Sequence, residues 1–176
     1  ALSYAMREIM RNVVEHSGST DLAYVAQFWP GTEKAEIAIT DRGIGLAKSL
    51  SSNPKIGSVN DDQALDLGVL PGVSSKTWRK QSSRSDWNNS GYGLYMVKGL
   101  CVASGGSLTI ASGSLARTWT KRGVTTVPTH LQGTTVILKL NSDNLTDIDR
   151  ELAKLRGEAR GGKPSPASMS LNPRKS

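Results

Sequence analysis

Residues 34–40, Lys-Ala-Glu-Ile-Ala-Ile-Thr, alternate sides without a break and run straight into Asp41-Arg42-Gly43-Ile44-Gly45. Ala35, Ile37 and Ile39 fall on one side, and Glu36, Ala38 and Thr40 on the other. A period of two makes this a half-buried strand, and the closely spaced glycines after Asp41 end it in a turn. Upstream, residues 21–29 (DLAYVAQFW) read as another strand, and Pro30-Gly31 between them supplies a turn, so the two suggest a hairpin.

The flanking segments have a different period. Over residues 2–16, Leu2, Met6, Ile9 and Val13 recur at helical spacing, with Met10 widening the stripe and Glu8, Asn12, Glu15 and His16 on the other side. Ser17-Gly18-Ser19 ends this helix. Residues 91–104 (GYGLYMVKGLCVAS) are apolar on most sides, which predicts a buried helix stopped by Gly105-Gly106. Residues 107–112 and 134–140 read as strands, with a loop or irregular hairpin carrying Arg117, Lys121 and Arg122 between them. Residues 145–158 suit a charged surface helix. Hairpin-joined strands beside helices predict an α+β fold, a two-layer sandwich with a mixed, mostly antiparallel sheet, and exclude a doubly wound parallel sheet.

Between strand and buried helix, residues 47–90 are rich in Ser, Asn, Asp and Gly. DDQALDLGVL suits a short helix, while SSKTWRKQSSRSDWNNS is polar and basic without an apolar period. Loops of this length in a compact domain are commonly lids or binding segments. The expected organisation is one domain over 1–144 with this lid, a C-terminal helix over 145–160 and a disordered basic tail over 161–176.

Composition narrows the function classes. The 176 residues carry a net charge of +7, with cations gathered at 76–84, 117–122 and 154–175. Because part of that charge sits in the tail, it is weak evidence for nucleic acid, which is not the expected partner. Trp29, ending a strand, is expected to pack; Trp78 and Trp87 lie in the lid. No apolar run approaches the roughly 20 residues of a membrane helix, and no N-terminal segment has the order of a secretory signal. The single cysteine, Cys101, reads as a small buried hydrophobe. A reducing, cytoplasmic setting is the default expectation, and two histidines with one cysteine make no metal pattern.

Four constellations could carry chemistry. Glu8 and Asn12 stand one helical turn apart and project to the same side; an amide oxygen suits Mg²⁺ and a carboxylate can orient or deprotonate a water. Asp41, with Gly43 and Gly45, can accept a hydrogen bond from an exocyclic amine while the glycines let backbone approach a flat ligand. Gly91-Tyr92-Gly93-Leu94 opens a helix, whose free N–H groups attract phosphate. Gly133-Thr134-Thr135 starts the last strand and says little alone. Each has a bland alternative: a solvated helix face, an ordinary strand-ending turn, a glycine entering a tight core.

In this order, the E-x-x-x-N helix, D-x-G-x-G strand end, basic lid, G-x-G-L helix and GTT strand resemble the Bergerat-fold ATPases: gyrase B, the large heat-shock chaperones, histidine kinases and MutL (GHKL). The likeness spans residues 6–140, with SGYGLYMVKGL especially like the histidine-kinase version. It implies an α/β sandwich, helices on one face, binding Mg-ATP or ADP under a lid. It implies Glu8 as catalytic carboxylate, Asn12 as Mg²⁺ ligand, Asp41 as adenine reader with Gly43 and Gly45, and Gly91, Tyr92, Gly93 and Leu94 on the phosphate side. Thr134 or Thr135 would support adenine through a water. Lys76 is the first choice among lid cations to reach phosphate, ahead of Arg79, Lys80 and Arg84; His16 and Ser17 could touch phosphate too. A regulatory protein partner is expected. Hydrolysis, phosphotransfer to a protein and non-catalytic nucleotide sensing all remain open.

Overall fold

The computed structural model describes residues 2–12, 17–75, 91–144 and 147–161; the side chains of 2–5, 12, 148–149 and 160–161 are outside that description. Helix α1 (Leu2–Asn12) precedes strands β1 (Leu22–Trp29) and β2 (Lys34–Asp41). Helices α2 (Leu46–Ser51), α3 (Asp61–Gly68) and α4 (Gly93–Ala103) follow, then β3 (Ser107–Thr120), β4 (Gly123–Asn141) and α5 (Ile148–Gly161). The sheet order is β1-β2-β4-β3, and all three pairings are antiparallel.

The alternation in β2 decides which face is covered. Ile37 and Ile39 are buried with Leu108 and Ile110 of β3 and Val136 and Leu138 of β4. Their register mates share that face, and Ile9 of α1 and Val97 and Cys101 of α4 pack onto it. This is the expected two-layer arrangement, with helices on one face.

Two helix boundaries have a clear local cause. In α3, Asn60 Oδ1 accepts from Gln63 N–H at 2.9 Å while Gln63 Oε1 accepts from Asn60 N–H at 3.1 Å, a reciprocal cap. At the end of α4, Gly105 N–H donates to Val102 O and Gly106 N–H to Cys101 O, with Gly105 left-handed at φ 76°. Both glycines do what the sequence asks of them, ending a helix that would otherwise run on.

Of the loop or irregular hairpin expected between the last two strands, the structure takes the irregular hairpin, and one other expectation needs correction. The segment between 112 and 134 is strand on both sides of the 121–122 turn, so β3 and β4 form a long hairpin. β3 is not straight: Thr109 Oγ1 and Thr118 Oγ1 are 2.8 Å apart, whereas nine residues of extended strand span about 30 Å. The chain doubles back near Gly113, whose φ is 64° and where the register with β4 shifts. Helix α5 is also more than a charged surface helix. Leu152, Leu155 and Ala159 are buried against Met96 and Leu100 of α4 and Tyr92 just before it. The two helices meet at Gly99, where a Cβ would lie 2.4 Å from Leu155 Cδ2.

Over residues 46–75 the short helix expected in DDQALDLGVL is present as α3, and α2 is an additional helix that the composition did not suggest. Asn53, almost fully buried, donates from Nδ2 to Ser74 O at 2.8 Å and so ties the end of α2 to the chain beyond α3. Residues 76–90, with Lys76, Arg79, Lys80, Arg84, Trp78 and Trp87, lie outside the described residues, as do His16 and the tail from 162. No described helix is long and apolar enough to cross a membrane.

Candidate nucleotide site

A cleft opens where β2 ends. Its enclosed part holds about 80 Å³, a narrow slot below the roughly 300–1,000 Å³ of a whole small-ligand site. Ile9, Ile39, Leu50, Val73, Leu94 and Val136 supply apolar walls, and Asp41, Thr134 and several serines supply polar atoms. An apolar slot with a few fixed polar groups suits a flat heteroaromatic ring.

Asp41 is the charged side chain in that lining and is only 4 % exposed. Its Oδ1 accepts from Gly43 N–H at 2.7 Å, and the Thr134 amide also stabilises the carboxylate. Burial nevertheless wins, raising the acid above its ordinary value of 3.8 because the ionised form has lost water.

The glycines fit this corner by close approach. A Cβ on Gly43 would lie 2.1 Å from Ser17 O, and Ile44 N–H donates to the same carbonyl at 2.8 Å. The turn after β2 is thereby fastened to the segment leaving α1. Gly45, at φ 77°, leads into α2. Gly133, at φ 92°, would place a Cβ 2.1 Å from Asp41 O, so β4 can pass beside Asp41 only without a side chain there.

Gly91, at φ 71°, packs against Gly72 and Val73, and Gly72 N–H donates to Gly91 O at 3.1 Å. That contact sets the start of α4 beside the cleft. Gly93 is the first residue of α4, Tyr92 precedes it and is buried with α5, and Leu94 reaches the cleft wall.

The structure separates the two threonines. Thr134 lines the cleft, while Thr135 Oγ1 lies 2.7 Å from Thr40 Oγ1, on the other face of the sheet. Glu8 is 5 % exposed and meets the Arg11 guanidinium at 2.5 Å; it is not part of the described cleft wall. Asn12 is the last residue of α1, with its side chain outside the described set, as is Lys76. Ser17 lines the cleft.

Ser112 escaped the sequence reading. Almost fully buried, it donates from Oγ to Gly133 O at 2.9 Å and accepts from Leu46 N–H at 2.8 Å. One hydroxyl thus holds the turn before α2 against the turn before the last strand segment. Its only sequence signal is a serine at the end of SLTIAS, which is too common to point to a partner 66 residues away.

A two-layer sandwich with a buried acid ending one strand, glycine turns around it and a glycine-opened helix beside it defines an ATP-binding module of the Bergerat fold. The family model described as histidine kinase-, DNA gyrase B-, and HSP90-like ATPase matches residues 1–144, and the chain belongs to that family. No curated protein matches the chain significantly.

Proposed function

We propose that the chain binds Mg-ATP in this cleft and that its γ-phosphate passes to water or to a protein acceptor, as in a histidine-kinase-like signalling module. The observation that carries the reading is Asp41, a buried acid held by the Gly43 and Thr134 amides inside an apolar slot. A carboxylate oxygen can accept the adenine amine, Ile39, Leu50 and Val136 can cover the ring faces, and Thr134 can fix a bridging water. Thr134, rather than Thr135, takes that role because it lines the cleft.

The phosphate end rests on the start of α4. Gly91, packed against Gly72 and Val73, sets that helix start beside the cleft, and the helix dipole favours anions there. Asn12 would hold Mg²⁺, which neutralises polyphosphate charge, and Lys76 would be the lid cation on phosphate; both roles follow from their motif positions. Glu8 would orient or deprotonate a water aimed at the γ-phosphate.

A second reading has its own observation. The Glu8 carboxylate is buried, paired with Arg11 and outside the described cleft wall, so it is held away from the slot in which Asp41 lies. In that reading ATP and ADP set the lid, and a regulatory protein partner reads it without turnover.

Calorimetric titration with Mg-ATP and Mg-ADP tests binding. Asp41→Ala is expected to weaken both nucleotides about 30-fold or more, the cost of a buried charge-assisted hydrogen bond. Equal affinity in the variant would overturn the adenine assignment. With γ-labelled ATP, label on a protein means kinase, free phosphate alone means ATPase, and neither, with tight binding retained, favours the sensor. Turnover undiminished in Glu8→Gln would remove Glu8 from the chemistry.

A further inference from the structure

At the opposite end of β2 from Asp41, about 23 Å along the strand, a groove of about 810 Å³ crosses the helix-free face. It runs from Trp29 on β1 through Lys34 and Glu36 on β2 and Lys139 on β4 to the Gly105–Ser107 turn and the hairpin tip at Lys121-Arg122. The register explains the assembly: Trp29 pairs with Lys34, Glu36 with Lys139 and Lys139 with Ser107, so all lie on the face opposite Ile37 and Ile39. The doubling back of β3 closes the groove by bringing the distant tip beside residues 105–107.

Four cations line the groove against one carboxylate, a balance of +3. Glu36 neutralises Lys139 at 3.1 Å, and among the described residues Lys34, Lys121 and Arg122 have no carboxylate partner. Trp29, expected to pack, is instead 44 % exposed at the groove's end. The ligand must therefore be anionic, extended enough to cross about 14 Å from β1 to β3, and able to use an aromatic face. An acidic peptide answers the charge but leaves the indole unused. A duplex keeps its bases stacked away from the indole.

We propose that this groove binds single-stranded nucleic acid, with Lys34, Lys121 and Arg122 on the phosphodiester backbone and a base stacked on Trp29. The site is separate from the nucleotide cleft and does not depend on the ATP reading. Sequence alone could not show it, because its cations come from three separated stretches.

The test is fluorescence anisotropy of the full chain with 5′-fluorescein dT12 and U12 between 25 and 200 mM salt, with twelve-residue polyglutamate as competitor. Three uncompensated cations predict a slope of log affinity against log salt near −2. Lys121→Glu with Arg122→Glu should lower affinity at least tenfold at low salt and flatten the slope. Trp29→Ala should lower affinity about fivefold or more without changing the slope. Lys154→Glu, an exposed reversal on α5, should change affinity little, and thermal melts confirm that each variant is folded. The proposal is overturned if neither oligonucleotide binds, or if Arg174→Glu with Lys175→Glu in the tail abolishes binding while the groove variants do not. It is equally overturned if polyglutamate displaces the oligonucleotide at matched charge and Trp29→Ala has no effect, which would make the groove an acidic-peptide site.

Discussion

Gly43 shows how narrowly a single position is fixed. Its missing Cβ leaves room for the Ser17 carbonyl, so Gly43→Ala forces the β2 turn away from Ser17. We expect a loss of about 3 kcal/mol in urea unfolding, with nucleotide affinity falling alongside; an unchanged midpoint would mean that the corner yields freely. Asp41 has a signed pH dependence. Its folded pKa lies above the 3.8 of the unfolded chain, so folding favours the protonated acid. The ionised form therefore carries a cost that is absent below 3.8 and sets in as pH rises through the folded value. Urea midpoints of Asp41→Asn relative to the parent should improve between pH 3 and 6, and a constant difference would contradict that cost. Cys101 makes the same argument in another range. Burial pushes its thiol up to about 12, against an ordinary 9. The native thiol should resist Ellman's reagent and react on unfolding, while stability declines as pH rises above 9.

At the scale of elements, α3 is held by its charges more than by its length. Arg117, nearly buried, donates to Asp62 and Asp66 at 2.5 Å each and to Thr126 Oγ1 at 2.9 Å, joining α3 to the β3–β4 hairpin. Asp61 adds bonds from Ser114 N–H and Oγ at 2.8 and 2.7 Å. Because the two aspartates are largely exposed, screening limits the worth of each pair. Arg117→Met should cost about 1–2 kcal/mol and raise amide exchange in α3. Asn60→Ala, which removes the reciprocal cap, should cost about 1 kcal/mol. If α3 exchange is unmoved in both, another contact secures the helix. Since Gly68 lines the cleft, loosening α3 should also be felt in nucleotide affinity.

Across the whole molecule, among the described residues, the helix layer stops short of β1. Leu22, Tyr24 and Phe28 share the face of Ile37 and Ile39 through their register, yet Tyr24 is 63 % exposed, while Ile39 is buried. An uncovered edge strand has few contacts to lose on opening. Amides of β1 should therefore exchange faster than those of β2 and β4, and Phe28→Ser should cost well under 1 kcal/mol where Ile39→Ala costs about 2–4 kcal/mol. Equal protection across the sheet would show that β1 is covered in solution.

The sequence by itself determined what depends on near neighbours. Alternation in 34–40 placed β2 and its buried face, Gly105-Gly106 ended α4, and Asp41 with its glycines marked the corner where the cleft lies. These signals are legible because backbone period and turn chemistry act over a few residues. Tertiary structure alone decided which groups meet at long range: Ser112 with Leu46 and Gly133, Thr134 rather than Thr135 in the cleft, and Trp29 with Lys121 and Arg122 across the sheet. Those meetings follow from strand register and from the fold-back at Gly113, and neither leaves a periodic trace, because a hydroxyl or a cation looks the same in a sequence whichever distant partner the packing brings to it.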